Sequence, residues 1–208
     1  MNINKNNIKY ATYNIAVIGL LSALLVTGKY VLQFIPNVEI VSSLIIVFTC
    51  TLGLKRTFPA VLVFCLLDNL LYPFSIFVTI QYFFHWPLLC ILTKLIIRNN
   101  KPNLKYNIVF VIYIAFMSFL FCLETPMINE IFNISKFIPT LVSGIPFMIP
   151  MLISGVVVIT VLYLPLCKTI NKVMPAWLGD KDNVSKPVIL EIEESNVKDV
   201  YYIDKDKN

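Results

Sequence analysis

The stretch IFVTIQYFFHWPLLCILTKLII, residues 76–97, decides the fold. It carries one permanent charge, Lys94 near its end, and no acid. An α-helix rises ~1.5 Å per residue, so about 20 apolar residues cross the ~30 Å hydrocarbon core of a bilayer. The run is continuous, whereas a membrane β-barrel would read as short alternating strands. It is therefore predicted to be a transmembrane helix.

The neighbouring runs repeat the pattern. Apolar segments extend from about Tyr10 to Phe34, Glu39 to Leu52, Phe58 to Leu71, Tyr106 to Leu123, and Phe137 to Lys172. Ile35-Pro36-Asn37 ends the first, Gly53 with Lys55-Arg56 predicts a turn after the second, and Tyr72-Pro73 closes the third. Glu124-Thr125-Pro126 opens a wetter segment after the fifth. Pro139, Pro146, Pro150 and Pro165 predict a kinked sixth span. The first run continues into Lys29 and Tyr30 with no small-residue cleavage site, so it is not expected to be a cleaved signal peptide.

Bulk composition agrees. Of 208 residues 58% are hydrophobic and 14% charged, with a mean hydropathy of +0.78. Soluble domains carry roughly 25% charged residues, and a water-soluble fold of this size has too little interior for so much apolar surface. Two domains are expected. Residues 1–172 hold 12 Lys/Arg and 4 Asp/Glu and form the membrane body; residues 173–208 hold 5 and 8 and form an acidic, mostly disordered tail. With the N-terminus in the cytoplasm, ten basic residues fall on the cytoplasmic side. Only Lys29 and Lys136 fall outside. That asymmetry sets the orientation, and six spans return the tail to the cytoplasm. The net charge of +5 then reflects topology rather than nucleic-acid binding.

The polar residues gather at one depth. The body's four acids, Glu39, Asp68, Glu124 and Glu130, lie at or near the outer helix ends, with Lys29. Gln81 and His85 are four apart and share a helix face, with Tyr82 and Trp86 on the adjacent stripe. Asp68 and Tyr72 are also four apart. An ionisable group at the bilayer centre costs about 2.5–3.5 kcal/mol, which predicts that these groups face a wet outer pocket rather than lipid. The competing reading is an interfacial aromatic belt with a snorkelling Lys29, and His85 suits a structural role as well as a ligand contact.

Catalytic patterns are missing from the sequence. One histidine excludes H-E-x-x-H and multi-histidine metal sites, and there is no G-x-S-x-G or Walker loop. Cys50, Cys65, Cys90, Cys122 and Cys167 form no C-x-x-C pair and read as buried hydrophobes. No metal or cofactor is expected, and the chain does not read as an enzyme.

The segment Asn14-Ile-Ala16-Val-Ile-Gly19-Leu-Leu-Ser22-Ala23-Leu-Leu, followed by Phe34-Ile-Pro-Asn37-Val-Glu39-Ile-Val, resembles the substrate-binding S components of energy-coupling factor (ECF) transporters. The resemblance spans about residues 8–172. It implies a six-transmembrane-helix bundle of all-α type in a bacterial plasma membrane, capturing a vitamin-like micronutrient outside the cell. It also implies docking on a transmembrane coupling protein that carries two ATPases. The family docks through small residues on its first helix; the matching positions here are Ala16, Gly19 and Ala23, a spacing that also serves internal packing. By the same resemblance Asn37 and Glu39 sit at the lid, Gln81, Tyr82, His85 and Trp86 line the site, and Glu124 lies at the rim; Asp68 and Tyr72 join them by position. Tyr82 or Trp86 would stack a planar heterocycle. The alternatives are a self-sufficient secondary transporter, for which no internal repeat is visible, and a lipid-modifying enzyme, which would need Asp68, His85 and Glu124 to converge.

Overall fold

The computed structural model describes residues 5–35, 38–71, 76–97, 104–131 and 133–173. Among them are six α-helices and no strand: α1 (Lys5–Leu32), α2 (Val41–Leu52), α3 (Leu54–Leu71), α4 (Ile76–Ile97), α5 (Leu104–Asn129) and α6 (Phe137–Val173). One 3-10 turn, Ile134–Lys136, leads into α6. The predicted tail, Asn37 and Tyr72 lie outside the described residues.

Four segments are long and apolar enough to cross a membrane: Ala11–Leu32, Ile76–Ile97, Tyr106–Asn129 and Ile134–Val173. Their outward faces are apolar too. Leu20, Leu95, Ile112, Phe147 and Val161 are each at least 60% exposed. The surface helices of a soluble bundle would turn polar residues outward; this surface is compatible with a multi-pass membrane protein.

The short helix is the hub. α2 packs against α1, α3, α4 and α6, and Ile45, Ile46, Val47 and Phe48 are all buried. A helix apolar on every side belongs in an interior. Around it, α1 packs chiefly on α3, α3 on α4, α4 on α5, and α5 most extensively on α6. The helices alternate in direction. The C-terminal end of α1, the N-terminus of α2, the C-terminal half of α3 and the N-terminal half of α4 meet through Lys29, Glu39, Asp68 and Tyr82, described below.

Small residues set the closest approaches. A Cβ at Gly155 on α6 would lie 2.7 Å from Ile114 Cγ2 on α5. At Gly28 it would meet Ile40 and Leu44 at 3.1 and 3.3 Å, where α1 crosses the start of α2. Ser22 Oγ donates to the Ala60 carbonyl at 3.0 Å, joining α1 to α3.

The ends of α2 and α5 differ from the sequence expectation. The turn after α2 is Gly53 alone, at φ 78°, a conformation that glycine adopts without steric cost. Lys55 and Arg56 are already in the first turn of α3. Arg56 is buried, with Nε donating to Asn14 Oδ1 at 2.8 Å and Nη1 to the Leu52 carbonyl at 3.3 Å. It therefore ties the ends of α1, α2 and α3 together as well as marking charge. Secondly, α5 does not stop at Leu123 but runs through Glu124-Thr125-Pro126 to Asn129. Gln81 Nε2 and Thr125 Oγ1 both donate to the Phe121 carbonyl, at 2.9 and 3.1 Å, just before the proline. The sixth span keeps its expected bounds: α6 is one 37-residue helix, Phe137–Val173, that contains Pro146, Pro150 and Pro165.

Candidate binding cavity

A cavity of about 610 Å³ opens where α1 ends and α2 begins. Its polar wall among the described residues comes from Lys29, Gln33, Glu39 and Tyr82; Trp86, Phe121 and Met151 face it from α4, α5 and α6. Residues Leu32, Phe34, Ile35, Val38, Ile40 and Val41, at and between the ends of α1 and α2, complete the lining. The volume falls in the range typical of small-molecule sites, about 300–1,000 Å³.

Three rings form one side. Tyr82 and Trp86 have centroids 6.0 Å apart, Tyr82 and Phe121 6.2 Å, and Trp86 and Phe121 6.3 Å. Tyr82 and Trp86 are four apart on α4, so both project from one face. Phe121 joins them from α5. Their pairing is edge-on or tilted, which suits the ring quadrupoles.

Two ionisable clusters buttress this wall. In the first, Lys29 Nζ binds Asp68 Oδ2 at 2.6 Å, lies 3.4 Å from the Tyr82 hydroxyl, and sits 4.6 Å from the Tyr82 ring centroid. In the second, His85 Nδ1 pairs with Glu124 Oε2 at 2.9 Å in a buried setting. His85 Nε2, Glu124 Oε1 and Trp86 Nε1 are buried without a hydrogen-bond partner among the described residues. His85 also packs edge-on against Trp86 and Phe121, with centroids 5.0 and 4.9 Å away.

Glu39 holds the mouth of α2. Its Oε1 accepts from Ser42 Oγ at 2.7 Å and from the Ser42 amide at 3.2 Å, and its own amide donates to Ser154 Oγ on α6 at 2.9 Å. A carboxylate there satisfies an otherwise orphaned donor and meets the positive end of the helix. Burial pushes the Glu39 carboxyl above its ordinary value; the Ser42 hydrogen bonds and the charges of His85 and Lys29 pull the other way.

The residues singled out from sequence thus divide. Glu39, Tyr82 and Trp86 line the cavity. Asp68, Gln81, His85 and Glu124 are buried, and their hydrogen bonds brace the cavity wall. Glu124 is not at a rim: the fifth helix continues past it and carries it inward to His85. Asp68 goes to Lys29, so Asp68, His85 and Glu124 form two pairs rather than one cluster. Phe121, Met151 and Ser154 were not foreseen. The spacing held a clue for Phe121, three residues before Glu124 and so on the same helix face.

Ala16, Gly19 and Ala23 lie on an exposed strip of α1, and a Cβ at Gly19 would meet nothing within 4 Å. Gly19 therefore makes no close packing contact within the described residues. The five cysteines are free, and no group of three or more His, Cys, Asp or Glu able to hold a metal occurs among the described residues. Comparison with family models, with curated proteins and with solved structures returns no match.

Proposed function

We propose that this chain is the membrane-embedded substrate-capture subunit of an ATP-driven micronutrient importer, of the kind the ECF S components represent. In this reading all six helices sit in a bacterial plasma membrane, with α2 and α3 inside the bundle and both termini in the cytoplasm. The single observation that carries it is the cavity of about 610 Å³ at one end of the bundle, walled by three aromatic rings and Glu39. Such a cavity suits capture of a small planar molecule. The chain has no phosphate-binding loop of its own, so energy would come from a coupling protein and two ATPases. The exposed small-residue strip at Ala16, Gly19 and Ala23 supports docking there, because it lets a partner helix approach closely. No catalytic step belongs to this reading.

Native mass spectrometry of the purified chain tests capture, and co-purification from native membranes tests docking. A retained small molecule and a coupling protein with its ATPases are expected. Gly19→Trp should abolish co-purification while leaving the ligand in place. Absence of both ligand and partner would refute the proposal.

The buried His85–Glu124 pair favours one other reading, proton-coupled transport by the chain alone, since buried ionisable pairs serve as proton relays in transporters. Uptake into proteoliposomes driven by a pH gradient, and lost in Glu124→Gln, would support it over the first.

A further inference from the structure

We infer that the cavity takes a planar aromatic cation, a ring system carrying a delocalised positive charge. This rests on the capture reading of the same cavity and specifies the ligand class.

The cavity has two features that would attract an anion, and an internal acid occupies each. Lys29 Nζ is held by Asp68 at 2.6 Å. The N-terminus of α2 is met by Glu39 Oε1 through the Ser42 amide and hydroxyl. An incoming anion would have to displace a carboxylate at either place. It would also face the negative charge of Glu39 itself.

Two features would attract a cation. The hydrogen bonds that the Glu39 carboxylate accepts from the described residues both go to Oε1, and Glu39 lines the cavity. Trp86, Tyr82 and Phe121 meet at 6.0–6.3 Å, and a cation is attracted to a ring face within about 6 Å of its centroid. The chain already uses this interaction, placing Lys29 Nζ 4.6 Å from the Tyr82 centroid. The cavity's volume and its three rings suit a flat heterocycle better than a compact ammonium. Flatness answers the rings, and positive charge answers Glu39.

The test uses the full chain in detergent micelles. The sequence has two tryptophans, Trp86 and Trp177, so Trp177→Phe leaves Trp86 as the only tryptophan, read by excitation that tyrosine does not absorb. Three probes of one shape are titrated: the N-methylated nicotinamide cation, its neutral isostere meta-toluamide, and the anion meta-toluate. The cation should bind at least about tenfold more tightly than the amide, and the anion more weakly still. Glu39→Gln keeps an acceptor for Ser42 and should reduce the cation's advantage to about threefold or less. Phe121→Leu should weaken cation and amide together. Equal binding of amide and cation, or an advantage that survives Glu39→Gln, would overturn the inference. A neutral or anionic molecule retained by the purified protein would overturn it too, while leaving the capture reading intact. If no probe binds and no ligand is retained, both fall.

Discussion

Lys29→Met should destabilise the chain more than Asp68→Asn, and the double variant should lose less than the sum. The Lys29 and Asp68 side chains are 2.6 Å apart at 27% and 3% exposure, so the two ends of the pair differ. Removing one partner of a buried pair costs about 3–5 kcal/mol when the survivor stays charged and unsolvated. Lys29→Met leaves such a survivor, because a carboxylate at the Asp68 site has no water to turn to. Lys29 is itself partly exposed, so the expected loss lies toward the lower end of that range, about 3–4 kcal/mol. Asp68→Asn leaves an ammonium that can swing into the cavity and still rests on the Tyr82 ring. Its loss should be about 1–2 kcal/mol. A coupling energy of about 2 kcal/mol follows for the double-mutant cycle. Thermal unfolding can be followed with a thiol-reactive fluorogenic dye, since Cys65, Cys90, Cys122 and Cys167 are buried until the helices separate. At roughly 2–4 °C per kcal/mol for a chain of this size, Lys29→Met should lower the midpoint by roughly 6–16 °C. Two equal losses under about 1 kcal/mol that simply add would refute the pairing.

Gly155→Ala should lower stability by about 1–3 kcal/mol, because its Cβ would meet Ile114 Cγ2 at 2.7 Å; Gly19→Ala, in open space, should raise it by up to about 1 kcal/mol, and the same dye assay reads both. Glu124→Ala strips His85 of its hydrogen-bond partner among the described residues and should cost about 1–3 kcal/mol; Glu124→Gln, which keeps an acceptor, should recover most of the lost midpoint. Affinity for the N-methylated nicotinamide cation should rise with pH at some point above the ordinary carboxyl range, because burial raises the Glu39 carboxyl. Glu39 ionises there and only its ionised form pairs with the probe. The profile should flatten in Glu39→Gln, which separates Glu39 from the charged or titratable groups around the same cavity: Lys29 on α1, Asp68 on α3, Tyr82 and His85 on α4, and Glu124 on α5.

Composition and run length were enough to foresee the helices, because lipid permits few alternatives to a satisfied helical backbone. Their ends were less legible. Pro126 looked like a stop, yet α5 passes through it, with Gln81 and Thr125 supporting the turn before it. No local propensity reveals a hydrogen bond arriving from 40 residues away. Lys55-Arg56 looked like a solvated turn because charge is read locally, but Asn14 and the Leu52 carbonyl hold Arg56 in the interior. The same limit applies to the cavity. Spacing places Gln81 with His85 and Tyr82 with Trp86 on neighbouring stripes of one helix, but not which stripe faces the cavity and which faces a buttressing helix. The partners decided that: Glu124 and the Phe121 carbonyl draw His85 and Gln81 behind the wall.

The position of the cavity follows from one length. α2 has 12 residues and spans about 18 Å, whereas α1, α4 and α6 beside it are each long enough to cover the ~30 Å of a bilayer core. A central helix that falls short by about 12 Å leaves the middle of the bundle unfilled at one end. α2 is joined to α3 through Gly53 alone at its C-terminal end, so the shortfall is at its N-terminus. That is where Glu39, Ile40 and Val41 line the cavity and where Glu39 caps the helix. The polar residues are therefore not scattered compromises with an apolar solvent. Lys29, Asp68, Tyr82, His85 and Glu124 lie on the four longer helices around the gap, each from the half that overhangs it. Lengthening α2 at its N-terminus would fill the cavity with helix and leave those groups with nothing to surround.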